Sequence, residues 1–226
     1  MSDVEIVVAG DDEDAALMVA RRLDEAARKG GHICLTGGTT PERAYQLAAE
    51  LDPDWSRVEI WWGDERCTTA DDPLSNYGMS TRALLDHLGT PPAAVHRMRG
   101  ELGPDEGARA YEAELGDTVI DLMLLGMGPD GHIASLYPNQ PTLDETERRV
   151  IGAEAHLQPF VDRITMTLPT LNASREVLFL IAGADKAEAV ARAFADEPSP
   201  ATPASLVRSV DGPTVVVLDS AAASRL

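Results

Sequence analysis

Residues 121–138 read DLMLLGMGPDGHIASLYP, and the fold turns on how this stretch is read. From 119 to 125 the chain is β-branched and leucine-rich without polar alternation, which predicts a strand buried on both faces of a parallel sheet. Gly126, Gly128 and Gly131 then form a turn that delivers His132 close to Asp130. Ligands of parallel sheets bind beyond the carboxyl ends of the strands, and glycines let backbone approach them closely and adopt positive φ where needed. His132 is therefore expected at the functional edge, where a general base belongs.

The same glycines satisfy G-x-G-x-x-G, the pattern of a dinucleotide site. Two features oppose that reading. Pro138 comes only six residues after His132, too soon for a long crossover helix, and Pro129 removes an amide that a pyrophosphate would need. A histidine that merely caps a turn is the plain alternative, and two further loops speak against it.

The first is HICLTGGTTPERAYQLAAEL, residues 32–51. A short apolar strand leads to Gly37 and Gly38, with Thr40 as expected N-cap and Pro41 as first helical residue. Ala44, Leu47, Ala48 and Leu51 then share one helical face. A strand, a Gly-Gly turn, the hydroxyls of Thr39 and Thr40 and a helix N-terminus make an anion site. Without the G-K-[ST] ending of a nucleotide loop, a sugar phosphate fits better than ATP. The second loop is VEIWWGDERCTTADDPLSN, residues 58–76, in which Asp64, Glu65 and Arg66 follow directly on a strand ending in Trp61-Trp62. Three charges at a buried strand's end are costly unless they pair or meet a ligand. Asp71 and Asp72 read as solvated.

Strands are predicted at 5–9, 32–36, 58–62, 119–125, 164–167, 177–182 and 214–218, and helices at 12–28, 41–51, 75–88 and 185–195, with a short outer helix within 99–116 that packs across the sheet's edge. Such alternation marks a mostly parallel, Rossmann-like α/β sheet flanked by helices, here expected as a single domain over 1–226. Residues 89–92 and 197–203 read as surface connections. With 44% hydrophobic residues in 226, the chain can bury a substantial core.

The net charge of -19 argues against nucleic acid and anionic membranes as partners, because both ask for basic patches. A phosphorylated substrate then needs local cations, and Arg66, Arg163 and Lys186 lie beside strand-end motifs. Screening over about 8 Å limits the long-range repulsion. No run approaches the roughly 18 apolar residues of a membrane span, and no secretory signal is visible, so the cytoplasm is the expected compartment. Cys34 and Cys67 form no disulfide framework or metal spacing, and His32, His87, His96 and His156 show no ligand pairing. Cys67 could serve as a nucleophile but lacks an orienting partner of its own.

The motifs GGTTP (37–41), WGDER (62–66) with DDPLSN (71–76), GMGPDGHIASL (126–136) and RITMTLPTLN (163–172) with GADKAEAV (183–190) together resemble the 6-phosphogluconolactonases, in that family's order and over nearly the whole chain. The resemblance implies a fold similar to glucosamine-6-phosphate deaminase. It also implies hydrolysis of 6-phospho-D-glucono-1,5-lactone in the oxidative pentose phosphate pathway, with neither metal nor cofactor. His132 would then activate water, with Asp130 or Asp64 orienting its ring and Arg66 facing developing charge. Gly37, Gly38, Thr39, Thr40, Arg163 and Lys186 would hold the phosphate, and Asn76 a sugar hydroxyl or the loop itself. An imidazole, ordinarily titrating near about 6.5, suits this task at neutral pH. Two rivals remain: the deaminase, which carries glutamate where this chain has Tyr137 and tends to carry tyrosine at Arg66, and a sugar-phosphate sensor, which would have no need of His132. Whether the protein is a monomer or a weak dimer is left open.

Overall fold

Alternate residues of each apolar strand enter different cores. In β2 (Gly31–Leu35), Ile33 and Leu35 pack on one face of the sheet and Cys34 on the other; in β6 (Leu122–Leu125), Leu122 and Leu124 oppose Met123 and Leu125. β9 (Val177–Ile181) divides in the same way, with Leu178 and Leu180 against Val177, Phe179 and Ile181. This is why these segments lack polar alternation: both faces are covered.

The computed structural model describes residues 4–226. β1 (Val4–Ala9), β3 (Val58–Trp62), β5 (Ala94–Val95) and β10 (Thr214–Asp219) complete a seven-stranded parallel sheet, ordered β1-β10-β9-β6-β2-β3-β5. One core contains α1 (Asp12–Lys29), α2 (Thr39–Leu51) and α3 (Asn76–Ala83). The other contains α4 (Gly103–Leu115), α5 (Leu168–Asn172) and α6 (Ala187–Phe194). α1 shows its construction openly. Asp11 accepts from the amide of Asp14, acids fill the first turn, and a buried stripe runs through Ala16, Val19, Ala20, Leu23 and Ala27 to Gly30 at φ 79°.

Strand order reverses between β2 and β6. From β2 the chain moves outward through β3 and β5, and from β6 it moves the other way through β9 and β10. The carboxyl ends of β2 and β6 therefore flank the switch point, where open α/β sheets bind ligands.

A second, antiparallel sheet was not anticipated. β4 (Asp64–Arg66), expected as loop, pairs with β8 (Arg163–Met166), which in turn pairs with β7 (Val150–Ala153). β8 is the strand expected at 164–167, shifted by one residue, whereas β4 and β7, of three and four residues, carry too little pattern to announce themselves. The outer helix α4 packs on this small sheet through β7 and β8, and it also meets the large sheet near its edge, where Tyr111 bonds Trp62 of β3 and Glu114 bonds His96 beside β5. The helix expected over 75–88 is split: Ser75 caps α3, and a 3₁₀ turn, Leu85–His87, follows it. The strand expected at 119–125 starts only at Leu122, and the 185–195 helix opens with a 3₁₀ turn, Ala184–Lys186.

Away from the switch point, His96 stacks on Trp61 with centroids 3.8 Å apart, and its ring nitrogens meet Glu114 at 2.6 Å and Glu59 at 2.9 Å. His32, within β2, accepts from the Trp61 indole at 3.2 Å. His96 thus braces α4 against β3. No helix among the described residues is long and apolar enough to cross a membrane.

Candidate active site

A cavity of about 410 Å³ opens over the carboxyl ends of β2, β6 and β9. Gly37, Gly38, Thr39, Thr40, Asp64, Arg66, Asn76, His132, Arg163 and Lys186 all line it. Asp130, the remaining expected site residue, reaches it through His132.

The base loop is built around Gly128. The Gly128 amide donates to the His132 carbonyl at 3.0 Å, and a Cβ on Gly128 would lie 2.0 Å from Nδ1 of His132 and 2.7 Å from Oδ1 of Asp130. Only hydrogen fits there. Gly131 takes φ 91°, whereas Gly126 and Gly128 do not need positive φ, and Ala134 enters the left-handed region at φ 49°. No helix follows; residues 133 and 136 close a short bridge instead.

His132 Nδ1 lies 2.6 Å from Asp130 Oδ1, and that oxygen also accepts from the His132 amide at 3.1 Å. The carboxylate keeps a proton on Nδ1 and leaves the Nε2 lone pair free. Burial pushes the Asp130 carboxyl up, but its hydrogen bond to His132 and the charge there outweigh this and hold it below its ordinary value. Of the two carboxylates expected to orient His132, Asp130 makes the bond. Asp64 instead accepts from Ser135 Oγ at 2.7 Å and from Asn76 Nδ2 at 3.2 Å.

The anion loop departs from expectation by one residue. α2 begins at Thr39 with Gly38 at the N-cap, φ 111°, so Thr40 does not cap and Pro41 falls within the first turn. Proline costs nothing there because first-turn amides have no intrahelical acceptor. With no side-chain cap on this terminus, the amides and hydroxyls of Thr39 and Thr40 stay available. The buried helix face uses Tyr45 rather than Leu51, which is exposed. The Tyr45 hydroxyl accepts from the Thr36 amide and donates to the Thr36 carbonyl, both at 2.8 Å, and so pins the end of β2. Tyr111 of α4 clasps Trp62 in the same manner at 2.9 and 3.1 Å. Burial raises the phenol pKa of both tyrosines and keeps them neutral. Neither role was legible in advance, since a tyrosine on a helix gives no hint of which strand it meets.

Arg66 and Arg163 are direct cross-strand partners in β4 and β8. Like charges placed opposite each other are unfavourable. Neither forms an ion pair among the described residues. Arg66 donates to the Leu74 carbonyl while its Nε is buried without a partner, and Arg163 donates to the carbonyls of Val161 and Pro159. Lys186 meets only the exposed Asp185, at 3.2 Å. Three cations thus face a cavity with little to neutralise them.

Glu65 has a structural task. Its carboxylate accepts from the amides of Arg66, Asn76 and Tyr77 at 2.7, 2.7 and 2.8 Å and from Ser75 Oγ at 2.9 Å, which fixes the start of α3. Burial nonetheless pushes its carboxyl above the ordinary range. Cys67 is half-buried, and burial with Asp162 nearby pushes its thiol up to about 11, the opposite of an activated nucleophile. The 197–203 connection is not wholly superficial: Thr202 is buried against Gly131, and the Ala204 amide donates to the Gly131 carbonyl at 3.0 Å. Sequence reading passed over Ser135, and it met Tyr137 only as the position where the deaminase carries glutamate. The Tyr137 ring lies 4.9 Å from that of His132 and 5.3 Å from that of His156. Among the described residues no three His, Cys, Asp or Glu side chains are gathered as a metal site would require.

The chain is similar to known proteins over nearly its whole length. Residues 12–216 match the family described as Glucosamine-6-phosphate isomerases/6-phosphogluconolactonase. The chain is 38% identical to the 6-phosphogluconolactonase of Streptomyces coelicolor, over 100% of this chain and 96% of that protein. Identity to the Mycobacterium leprae 6-phosphogluconolactonase is 39%, over 89% and 87% of the two chains. The solved 6-phosphogluconolactonase from Trypanosoma cruzi superposes with a TM-score of 0.88 at 27% identity, covering 100% of this chain and 98% of that one. A monomeric glucosamine-6-phosphate deaminase shares the fold, with a TM-score of 0.87 at 24% identity over 99% and 100% of the chains. By sequence and by fold, the chain belongs to the glucosamine-6-phosphate isomerase/6-phosphogluconolactonase family.

Proposed function

We propose that this protein hydrolyses 6-phospho-D-glucono-1,5-lactone to 6-phosphogluconate without a metal. The observation that carries this reading is the opposition of two groups across one cavity: a carboxylate-oriented imidazole, and a cluster of under-neutralised cations beside a free helix N-terminus. A phosphorylated lactone matches both.

His132 Nε2 takes a proton from water as the oxygen attacks the lactone carbonyl carbon. The charge that develops on the carbonyl oxygen is met by Arg66 and by backbone amides of the cavity wall. Collapse breaks the bond to the ring oxygen, and the imidazolium returns its proton there, so the base is regenerated within one turnover. Asp130 supports the transient imidazolium. Arg163, Lys186 and the amides of Thr39 and Thr40 hold the phosphate, which restricts the lactone to one orientation.

Deaminase chemistry is disfavoured by Tyr137, which sets an aromatic ring rather than a carboxylate beside His132. The test is lactone generated in situ from glucose 6-phosphate by its dehydrogenase, with its disappearance followed against buffer alone. Acceleration by the wild type, lost in His132→Ala, is the expected result. Ammonia release from glucosamine 6-phosphate would favour the deaminase instead, and ligand binding without either reaction would favour a sensor. With both cysteines held as free thiols, we assign the protein to the cytoplasm.

A further inference from the structure

The reaction as drawn leaves Asp64 without a task, although its carboxylate is only 7% exposed and lines the cavity. Among the described residues it forms no ion pair, and both its oxygens are taken by neutral donors. Ser135 Oγ donates to Oδ2 at 2.7 Å and Asn76 Nδ2 to Oδ1 at 3.2 Å. A carboxylate buried in this way is held by geometry rather than by charge neutralisation.

Ser135 is the point where this network meets the base loop. It stands three residues beyond His132, follows the left-handed Ala134, and is 1% exposed. Its amide donates to Thr165 Oγ1 at 3.2 Å, and Thr165 is the β8 partner of Asp64 in β4. Both of its polar groups therefore grip adjacent strands of the small sheet. On the far side of Asp64, the Asn76 Oδ1 presses on Gly37, where a Cβ would come within 1.9 Å of it. One path of contacts, Ser135 to Asp64 to Asn76 to Gly37, spans from the base loop to the anion loop.

We propose that Ser135 is a positioning residue for the hydrolysis. Its bond to Asp64 fastens the rear of the base loop, holds Ala134 in its left-handed conformation, and fixes the separation between the His132 ring and the phosphate-holding loop. The front of the loop is already fastened through Gly128. Without the rear fastening, Ala134 relaxes toward an ordinary backbone conformation and His132 loses its aim, while the anion loop keeps its own supports in Tyr45 and Gly38. This inference rests on the reading of His132 as general base.

The test separates turnover from anion binding. Wild type, His132→Ala, Ser135→Ala, Ser135→Thr and Ser135→Ala/Asp64→Asn are compared for kcat and KM on lactone formed in situ, and for competitive inhibition by inorganic phosphate. Ser135→Ala is expected to lower kcat by about 10- to 100-fold while the phosphate inhibition constant moves less than about two-fold. Ser135→Thr, which retains the hydroxyl, recovers most of the rate. The double variant falls little below Ser135→Ala, since the two residues act as one unit. A kcat within about two-fold of wild type in Ser135→Ala, or a parallel loss of phosphate inhibition, overturns the proposal. Should Ser135→Ala fail to fold, Ser135→Thr decides: a rate as low as that of His132→Ala refutes it. Wild type that accelerates nothing removes the reading of function and this inference with it, whereas an active wild type with an undiminished Ser135→Ala removes this inference alone.

Discussion

A methyl group on Gly128 would overlap the ring of His132, at 2.0 Å from Nδ1 and 2.1 Å from Cε1. The glycine is thus required by the side chain four residues later, since its own φ is not in the positive region. Gly128→Ala must push the imidazole off Asp130. Lactone hydrolysis should fall by about 100-fold or more, with a loss of stability of about 1–3 kcal/mol. Gly126→Ala is the comparison, because its nearest neighbour is the Gly37 carbonyl at 4.0 Å. Equal losses in the two variants would refute the argument.

Asp130 makes a prediction in pH. Its folded pKa lies below the ordinary carboxylate value of about 3.9, so its stabilising contribution is complete above that value and is lost as pH falls through the lower folded one. The Tm difference between wild type and Asp130→Asn should therefore shrink as pH falls below the ordinary carboxylate range. A difference that grows on acidification contradicts the sign. At neutral pH the same substitution should cut kcat by about 10²- to 10⁴-fold, because a neutral amide neither selects the tautomer nor supports the imidazolium.

Lys186 should affect binding and leave folding almost untouched. Its one ionic partner is an exposed aspartate, and such surface pairs contribute little to stability. Lys186→Ala is expected to raise KM by about ten-fold and to change Tm by no more than about 2 °C. A Tm loss of several degrees with KM intact would reassign the lysine to the fold.

Alkylation of Cys67 gives a further check. With its thiol raised to about 11, the rate of reaction with iodoacetamide should still be climbing at pH 9, and modification at pH 7.5 should be slow beside a free cysteine. Fast labelling at neutral pH would mean that the loop opens or that an unrecognised cation lies near.

The parts of this molecule legible in sequence are those whose signal is periodic or local. β6 and β9 declared themselves by unbroken apolar runs because both faces of the sheet are covered, and β2 and β3 by the apolar residues at their carboxyl ends. The base loop and the anion loop were visible because glycine and threonine in those patterns have few other uses. Legibility failed where the meaning of a residue depends on a distant partner. Asp64 and Asp130 are chemically alike and equally plausible beside His132, and only the pairing of β4 with β8 turns Asp64 toward Ser135. The small sheet escaped notice because only its central strand, β8, was expected, while β4 has three residues and β7 four. Tyr111 was missed because it acts on Trp62 at the end of a distant strand. Tyr45 acts on the strand just before its own helix and gave no sign of it, because a helical tyrosine does not announce its partner.

The sheet order has a consequence for how the protein comes into being. β1 has β10 as its one neighbour, with Val4 paired to Thr214 and Ala9 to Asp219. β1 must wait for a strand synthesised roughly 200 residues after it, a delay on the order of ten seconds or more at ordinary synthesis rates. The strands that carry the base and anion loops are all made before then and need no part of β1 to pair. A nascent chain halted short of residue 214 would therefore hold most of its chemistry while β1, with Ile6 and Val8, still lacked a docking strand. The earliest of the described strands is thus the last to find its place in the sheet.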